Sequence, residues 1–284
     1  MKVRRFIGQG EHALSLRFAR RGNMLFTEFE RAPTQATVLA GPVLDALHKR
    51  DDDELRIRLF GCSTGAEPYS IASALQAARP NLRRDMRCFD IEPGVIERAR
   101  AGQYGADDVT RMRNVTPAFI ERTFDRVGAN FAVKPAVRVG IQFEVGDVLD
   151  RQMIDTLPRA DVVVAQNFLF HLSRPDATRA FANLCSLLAS RSVLVIDGMD
   201  LDLRARLTRQ ARLEPSSIEF ERIHDESRAV RGYGWPSIYW GLEPFNGRRA
   251  DAVRRYSTIF FRGEPAPAAS VARMTSGSAT RPST

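Results

Sequence analysis

Gly61-Cys62-Ser63-Thr64-Gly65-Ala66-Glu67-Pro68-Tyr69-Ser70 follows a β-like string, Leu55-Arg56-Ile57-Arg58-Leu59-Phe60, and leads into a helix-like stretch, Pro68–Ala78. Two glycines frame a tight turn there, since glycine alone enters left-handed backbone without a steric penalty, and Pro68 suits a first helical position. Outward from this unit the alternation recurs: Met86–Asp90 then Gly94–Ala101, Ile141–Val145, Asp161–Ala165 then Pro175–Leu188, and Val193–Ile196. Strands alternating with helices predict a doubly wound α/β fold, a mostly parallel sheet covered on both faces. One string sits uneasily in it. A doubly covered strand is apolar throughout, so Arg56 and Arg58 must each reach solvent or a carboxylate. Between Tyr104 and Val139 the alternation stops, with Pro117–Phe124 helical in pattern, Phe131–Val139 extended, and Gly128 and Pro135 as punctuation. Residues from about 105 to 140 therefore read as a small subdomain inserted between the second and third strands. The expected organisation is a helical lead-in over 1–45, a main domain over 46–262 that ends in a strand at Tyr256–Phe261, and a Pro/Ala/Ser/Thr-rich disordered tail over 263–284.

Composition narrows the function. The chain has 284 residues, 44% hydrophobic and 27% charged, the balance of an ordinary globular protein. No apolar run approaches the ~18–20 residues that span a bilayer, and no hydrophobic stretch follows the basic start, so a cytoplasmic location is expected. Cys62, Cys88 and Cys185 are odd in number, lack C-x-x-C spacing and read as reduced core residues. The four histidines have no metal-site spacing. The net charge of +8 comes almost wholly from arginine spread along the chain, with lysine only at 2, 49 and 134. Charge spread in this way argues against a nucleic-acid partner.

In an open α/β sheet, ligands bind beyond the carboxyl ends of the strands. After the first strand stands the glycine turn, which is neither the G-x-G-x-x-G of dinucleotide binders nor a phosphate loop, for no lysine follows. After the second comes Asp90-Ile91-Glu92, whose carboxylate can accept two hydrogen bonds from a ribose. Gly146-Asp147-Val148 follows the third, and Gln166-Asn167-Phe168-Leu169-Phe170-His171-Leu172 the fourth. A nucleoside pocket without phosphate handling suits S-adenosyl-L-methionine.

The turn resembles the G-C-S-T-G-E-E-P-Y-S signature of CheR-type methyltransferases, which methylate chemoreceptor glutamates with S-adenosyl-L-methionine. Asp90-Ile91 with Ala99, Gly102 and Tyr104 is similar to that family's D-I-x-x-x-x-L-x-x-A-x-x-G-x-Y, Phe131–Phe143 to its Y-x-V-x-x-x-(I/V)-R-x-x-V-x-F, and Thr27-Glu28-Phe29-Glu30-Arg31 to its T-x-F-F-R. The resemblance covers roughly residues 25–200 and implies a class I, Rossmann-like methyltransferase fold. It implies that Gly61, Ser63, Thr64 and Gly65 cradle the cofactor, that Glu67 meets its methionine amino group, and that Asp90, beside Ile91, takes the ribose. Asp147 and Val148 would flank the adenine, Asn167, with Phe168, would lie by the methionyl end, and Thr27 and Arg31 would meet cofactor or acceptor from the lead-in. His171 takes the place of a tyrosine close to the transferred methyl. The departures are Leu25 for an asparagine, Glu30 for the second phenylalanine of F-F-R, Gln166 for the arginine of R-N-V, and Asp197-Gly198-Met199-Asp200 for a G-H-S-E string. The 22 residues at the start leave room for about half of the family's N-terminal helical domain.

A carboxylate acceptor is ionised at neutral pH and needs aiming rather than a base, for which Arg31 offers a bidentate clamp. An alcohol would need a base, and His171 is the histidine placed to be one. The plainer readings are a surface arginine at 31 and a core histidine capping the helix near Pro175. The expected function is a carboxyl O-methyltransferase releasing S-adenosyl-L-homocysteine. The shortened start and the aromatic segment Tyr233–Phe245 point to a small or lipid-like acid, such as a 3-hydroxy fatty acid made into a diffusible bacterial signal. The alternatives are a chemoreceptor glutamate and a non-catalytic module that only binds the cofactor.

Overall fold

The computed structural model describes residues 27–50, 53–230 and 243–263. Ten strands are defined in chain order: β1 (Glu54–Phe60), β2 (Arg83–Asp90), β3 (Gln103–Gly105), β4 (Phe124–Val127), β5 (Asn130–Val133), β6 (Ile141–Val145), β7 (Ala160–Ala165), β8 (Leu188–Ile196), β9 (Glu214–Pro215) and β10 (Ile259–Arg262). Seven of them form one sheet in the order β6-β2-β1-β7-β8-β10-β9. The five from β6 to β8 run parallel, whereas β10 lies antiparallel to both β8 and β9. The chain winds outward on one side through β2 and β6 and on the other through β7 and β8, so the winding reverses between β1 and β7. Ligands of such sheets settle at that switch point. The α/β doubly wound class is as the sequence predicts.

Both faces of the sheet are covered, and β7 shows why its sequence is apolar throughout: Val162 and Val164 enter one core cluster, Val163 and Ala165 the other. The two arginines of β1 resolve differently. Arg56 is exposed and bonds Glu54, while Arg58 is fully buried and reaches the Asp85 carboxylate at 2.8 Å with Nη2. All three cysteines are buried and unbridged.

Between β2 and β6 stands a three-stranded antiparallel sheet in the order β3-β5-β4, with the helix Pro117–Thr123 ahead of β4. It begins at Gln103, slightly before the expected insertion. Phe131–Val139 is not extended throughout, because β5 ends at Val133 and Pro135 opens a short helix to Arg138. Tyr256 likewise ends a helix, Ala252–Tyr256, rather than opening the last strand. The expected tail beyond Gly263 and the first 26 residues of the lead-in lie outside the described residues.

Gly140 ends this insertion and returns the chain to β6. Its φ is +77°, and a Cβ there would stand 2.0 Å from the Arg84 carbonyl oxygen. Neither atom can move without parting β2 from β6, since Met86 N–H donates to the Gly140 carbonyl at 2.8 Å. Gly140→Ala is therefore expected to lower the unfolding free energy by about 2–3 kcal/mol, measured by urea denaturation; an unchanged midpoint would contradict the strain argument.

Among the described residues no helix is long and apolar enough to cross a membrane, and no group of three His, Cys, Asp or Glu side chains could hold a metal.

Candidate active site

The strand ends are tied together before any side chain is considered. The N–H groups of Gly61 and Cys62 both donate to the Phe89 carbonyl, at 2.8 and 3.1 Å, joining the ends of β1 and β2. Gly146 N–H donates to the Asp90 carbonyl at 2.9 Å, joining β2 to β6. Gly61 has φ +75°, and a Cβ there would lie 2.5 Å from Phe168 Cδ1, so glycine lets the chain after β7 close over the turn. Ser63, at φ 46°, aims its N–H at Asp90 Oδ2 from 2.8 Å. Gly65 then caps the helix Ala66–Ala78, which places Glu67 in the first turn and Pro68 at its third position, two deeper than the N1 expected. A proline is tolerated there because first-turn N–H groups lack helical partners.

The lead-in reaches the same place through one anchor. Phe29, 2% exposed, packs edge-on against Tyr104 and Phe124 with ring centroids 4.8 and 5.2 Å apart. Thr27 and Arg31, two residues to either side, are thereby held over the strand ends. The helix Pro33–Val38 is fixed in turn by Glu226, whose carboxylate accepts from Thr34 N–H at 3.0 Å.

Together these segments enclose a cavity of about 810 Å³, its open mouth included. All the residues predicted from sequence line it except Thr64 and Gly65. Those two face inward: the Thr64 carbonyl accepts from Tyr104 Oη at 2.6 Å, and the missing Cβ of Gly65 leaves room for the hydroxyl of Tyr104 and the ring of Tyr69. They shape the turn from behind rather than lining the cavity. Phe60, Gly146, Gln166 and Leu172 are further wall residues. Gly146 and Gln166 could have been found as the positions that follow strands; Phe60 and Leu172 carry no signal beyond being apolar.

Asp90 accepts from Ser63 N–H and, at 3.2 Å, from Glu92 N–H, so it braces the turn as well as facing the cavity. Asp147 accepts from Leu149 N–H at 2.9 Å and closes its own turn. His171 stands in a short 3₁₀ turn, its ring 4.0 Å from that of Phe170. It does not cap the following helix. Ser173 does, accepting from Asp176 N–H. The aromatic segment expected to line an acceptor site lies outside the described residues up to Leu242, and its last ring, Phe245, packs against Phe220 and Tyr256 instead.

Electrostatically the site centres on Glu67 and Arg31, both about nine-tenths buried, with Arg31 Nη2 3.7 Å from Glu67 Oε2. Burial pushes the Glu67 carboxyl up to about 7; Arg31 opposes the rise and the Asp197 charge adds to it. Glu67 Oε1 and Asn167 Oδ1 are buried acceptors with no hydrogen-bond donor among the described residues. Asn167 is also held at φ 58°, with the Gly198 backbone packed against it so closely that a Cβ on Gly198 would lie 2.6 Å from Asn167 Cα. Unpartnered acceptors and strained backbone persist where the surrounding structure enforces them, commonly at ligand sites. A cavity with acceptors at one end, a strand-end carboxylate at Asp90 and no phosphate-binding loop fits a nucleoside that carries an ammonium group.

Comparison with known proteins gives this arrangement a family. Residues 25–207 match the family described as CheR methyltransferase, SAM binding domain. A "Probable biofilm formation methyltransferase WspC" of Pseudomonas aeruginosa is 30% identical over 207 residues, which make up 72% of this chain and 48% of that protein. "Chemotaxis protein methyltransferase 1" of the same organism is 32% identical over 144 residues, covering 48% and 51% of the two chains. A "Chemotaxis protein methyltransferase" of Listeria innocua is 26% identical over 175 residues, covering 61% and 63%. The chain thus spans about half to two thirds of the length of these relatives.

Proposed function

The chain belongs to the CheR methyltransferase family and carries its S-adenosyl-L-methionine-binding domain, and from that premise we propose that it esterifies a carboxylate, the side chain of a glutamate in a chemoreceptor-type protein. The observation that carries this reading is the pairing of Arg31 with Glu67 at the wall of a cavity that also presents Asp90 and Asn167. In this reading Glu67 and Asn167 hold the methionine end of the cofactor, supplying their unpartnered oxygens to its ammonium. Asp90 holds the ribose, and Asp147 and Val148 flank the adenine. When bound, S-adenosyl-L-methionine supplies a methyl on a sulfonium, so that a new O–CH₃ bond forms as the S–CH₃ bond breaks and S-adenosyl-L-homocysteine leaves.

The chain's own part is positioning. The acceptor needs no base, because a glutamate carboxylate with a pKa of about 4 is already anionic. Arg31 grips the carboxylate through its planar fork and leaves an outward lone pair of one oxygen free to attack, while Phe168 and Leu172 keep water from the line of approach. His171 supplies a wall and a hydrogen-bonding edge near the acceptor. The lipid-like acid expected from sequence gains no support from the comparisons, whose relatives are named for chemotaxis and biofilm formation. The protein glutamate therefore takes its place as the acceptor.

Incubation with methyl-labelled cofactor, cytoplasmic receptor fragments and, separately, 3-hydroxy fatty acids tests this. Label on the receptor fragment, released as methanol by mild alkali, is expected. Label on the fatty acids alone would restore the small-acid reading, and label on neither, despite cofactor binding, would favour a binding module. Asp90→Ala is further expected to weaken binding of S-adenosyl-L-homocysteine by about 1–3 kcal/mol, the scale for losing a charged hydrogen-bond partner. Calorimetry reads this directly, and an unchanged affinity would remove the ribose assignment.

A further inference from the structure

Arg204 is the fourth residue of the helix Leu201–Gln210 and is fully buried, a cation to which the reading above gives no task. Taking a guanidinium out of water costs free energy that a methionine of similar length would not, so its place is explained by the bonds it makes. Nη1 donates to the Ile196 carbonyl at 3.1 Å and to Asp197 Oδ1 at 3.3 Å, and Nη2 donates to the Arg255 carbonyl at 2.8 Å. Ile196 ends β8, and Asp197, 5% exposed, opens the corner that follows. Arg255 belongs to the helix Ala252–Tyr256 that leads into β10. One side chain thus fastens a strand end, a corner and a neighbouring helix. Asp200 sets its starting point, because its carboxylate accepts from Leu203 N–H at 2.7 Å and so fixes where the helix begins.

The corner is also the bed on which Asn167 rests. Asp197 N–H donates to the Ala165 carbonyl at 3.2 Å, the Asp197 carbonyl accepts from Asn167 N–H at 3.3 Å, and the Gly198 carbonyl accepts from Phe170 N–H at 2.9 Å. Asn167 stands at φ 58°, a conformation that costs a residue other than glycine free energy and lasts only where its neighbours enforce it. The neighbours that do so are Asp197 and Gly198, tied down from the opposite side by Arg204. Asp197 is near enough to the cofactor end of the cavity for its charge to raise the Glu67 carboxyl. It also stands in the string that replaces G-H-S-E, so the carboxylate that Arg204 meets is this chain's own departure from that pattern.

We propose that Arg204 is a positioning residue for methyl transfer: with Asp197 it holds the corner after β8, and the corner holds Asn167 in the left-handed conformation that turns its amide toward the methionyl end of the cofactor. The inference rests on the methyl-transfer reading of the cavity, in which Asn167 meets that end. Arg204 itself lies outside the cavity wall and acts only through the corner. A planar guanidinium suits the task, since it meets two carbonyls and a carboxylate in fixed directions, which an ammonium on a flexible stem does not.

The test combines Arg204→Met with Asp197→Asn, which removes both charges at nearly unchanged volume, so the urea midpoint is expected to stay near that of the unmutated protein. Affinity for S-adenosyl-L-homocysteine, read by calorimetry, should nevertheless fall at least about tenfold, the effect of losing one charge-assisted hydrogen bond. The N–H groups of Asn167 and Phe170 should exchange with solvent faster, while those inside β7 keep their rates. A mutant cycle gives the readout that a merely structural role would not move. Asn167→Gly, which keeps the left-handed backbone and removes only the amide, should weaken binding in the unmutated protein and much less in the doubly substituted one, where the amide is no longer aimed. Additive losses, or full affinity with unchanged exchange, would overturn the proposal. Should the doubly substituted protein not fold, Arg204→Lys takes its place in the same cycle, with weaker binding and the same non-additivity expected and full affinity overturning the proposal. Failure of the unmutated protein to bind S-adenosyl-L-homocysteine would strike the reading of the cavity instead; exchange at Asn167 and Phe170 would still test the corner, and unchanged rates there would overturn the role of Arg204.

Discussion

Arg31→Ala is expected to lower kcat/KM for methyl transfer about a hundredfold while binding of S-adenosyl-L-homocysteine changes little. The attacking group is an anion whose charge disappears as the ester forms, so a cation beside it does not stabilise the transition state electrostatically. Its contribution is orientation, and a misplacement of about 1 Å at a reacting centre costs on that scale. The structure gives Arg31 the rigidity this demands: Phe29 anchors the segment two residues before it, and Asn114 Nδ2 donates to the Arg31 carbonyl at 3.0 Å. Arg31→Lys should recover only part of the loss, because an ammonium keeps the charge but not the planar fork that grips a carboxylate. Steady-state kinetics with a receptor fragment checks both variants. A drop in cofactor affinity equal to the drop in kcat/KM would mean that Arg31 serves the cofactor and not the acceptor.

Glu67→Gln is expected to weaken binding of S-adenosyl-L-homocysteine by about 1.5–3 kcal/mol at pH 8 and to remove a pH dependence that the unmutated protein shows. The Glu67 carboxyl is raised from 4.5 to about 7 by burial. An ammonium ligand pairs with the anion, so below about pH 7 binding must first expel a proton, and affinity falls up to tenfold per pH unit; above it, affinity levels off. Stability runs the opposite way. A carboxyl whose pKa rises on folding keeps its proton in the folded state between about 4.5 and 7, where the unfolded chain has lost it. The unliganded protein therefore loses stability as pH climbs through that window. Glu30, also raised to about 7 by burial, adds a parallel stability loss. Glu30→Gln serves as the control that leaves the binding slope in place. Calorimetry between pH 6 and 8.5 in two buffers of different ionisation heat measures the proton released. A pH-independent affinity in the unmutated protein would contradict the assignment of Glu67 to the ammonium.

What the sequence made legible was the chemistry that local rules control. A glycine turn after a strand, an acidic strand end and an Asn-Phe string after a buried strand each announce a ligand-facing position, because backbone conformation and alternation fix where they point. Thr64 and Gly65 show the limit of this. They belong to the same turn, yet their neighbours Tyr104 and Tyr69 come from elsewhere in the chain and draw them away from the cavity. The small cavity behind the Arg31–Glu67 pair, lined by Glu28, Glu30, Gln35 and Gln166, was out of reach for the same reason. Glu30 and Gln166 were visible as departures from pattern, but only the packing of the lead-in against the strand ends makes them face one space, and the Gln166–Gln35–Thr258 chain joins three segments distant in sequence. Arg58 lies between these cases. Its need for a carboxylate followed from its place in a covered strand, while the partner, Asp85, is set by the register of β1 with β2.

The most direct test of the central claim is a calorimetric titration of the purified protein with S-adenosyl-L-homocysteine, run beside the Asp90→Ala and Glu67→Gln variants. One equivalent should bind to the unmutated protein, and more weakly to each variant. No detectable uptake, or uptake that both substitutions leave untouched, would mean that the cavity at the strand ends is not the cofactor site.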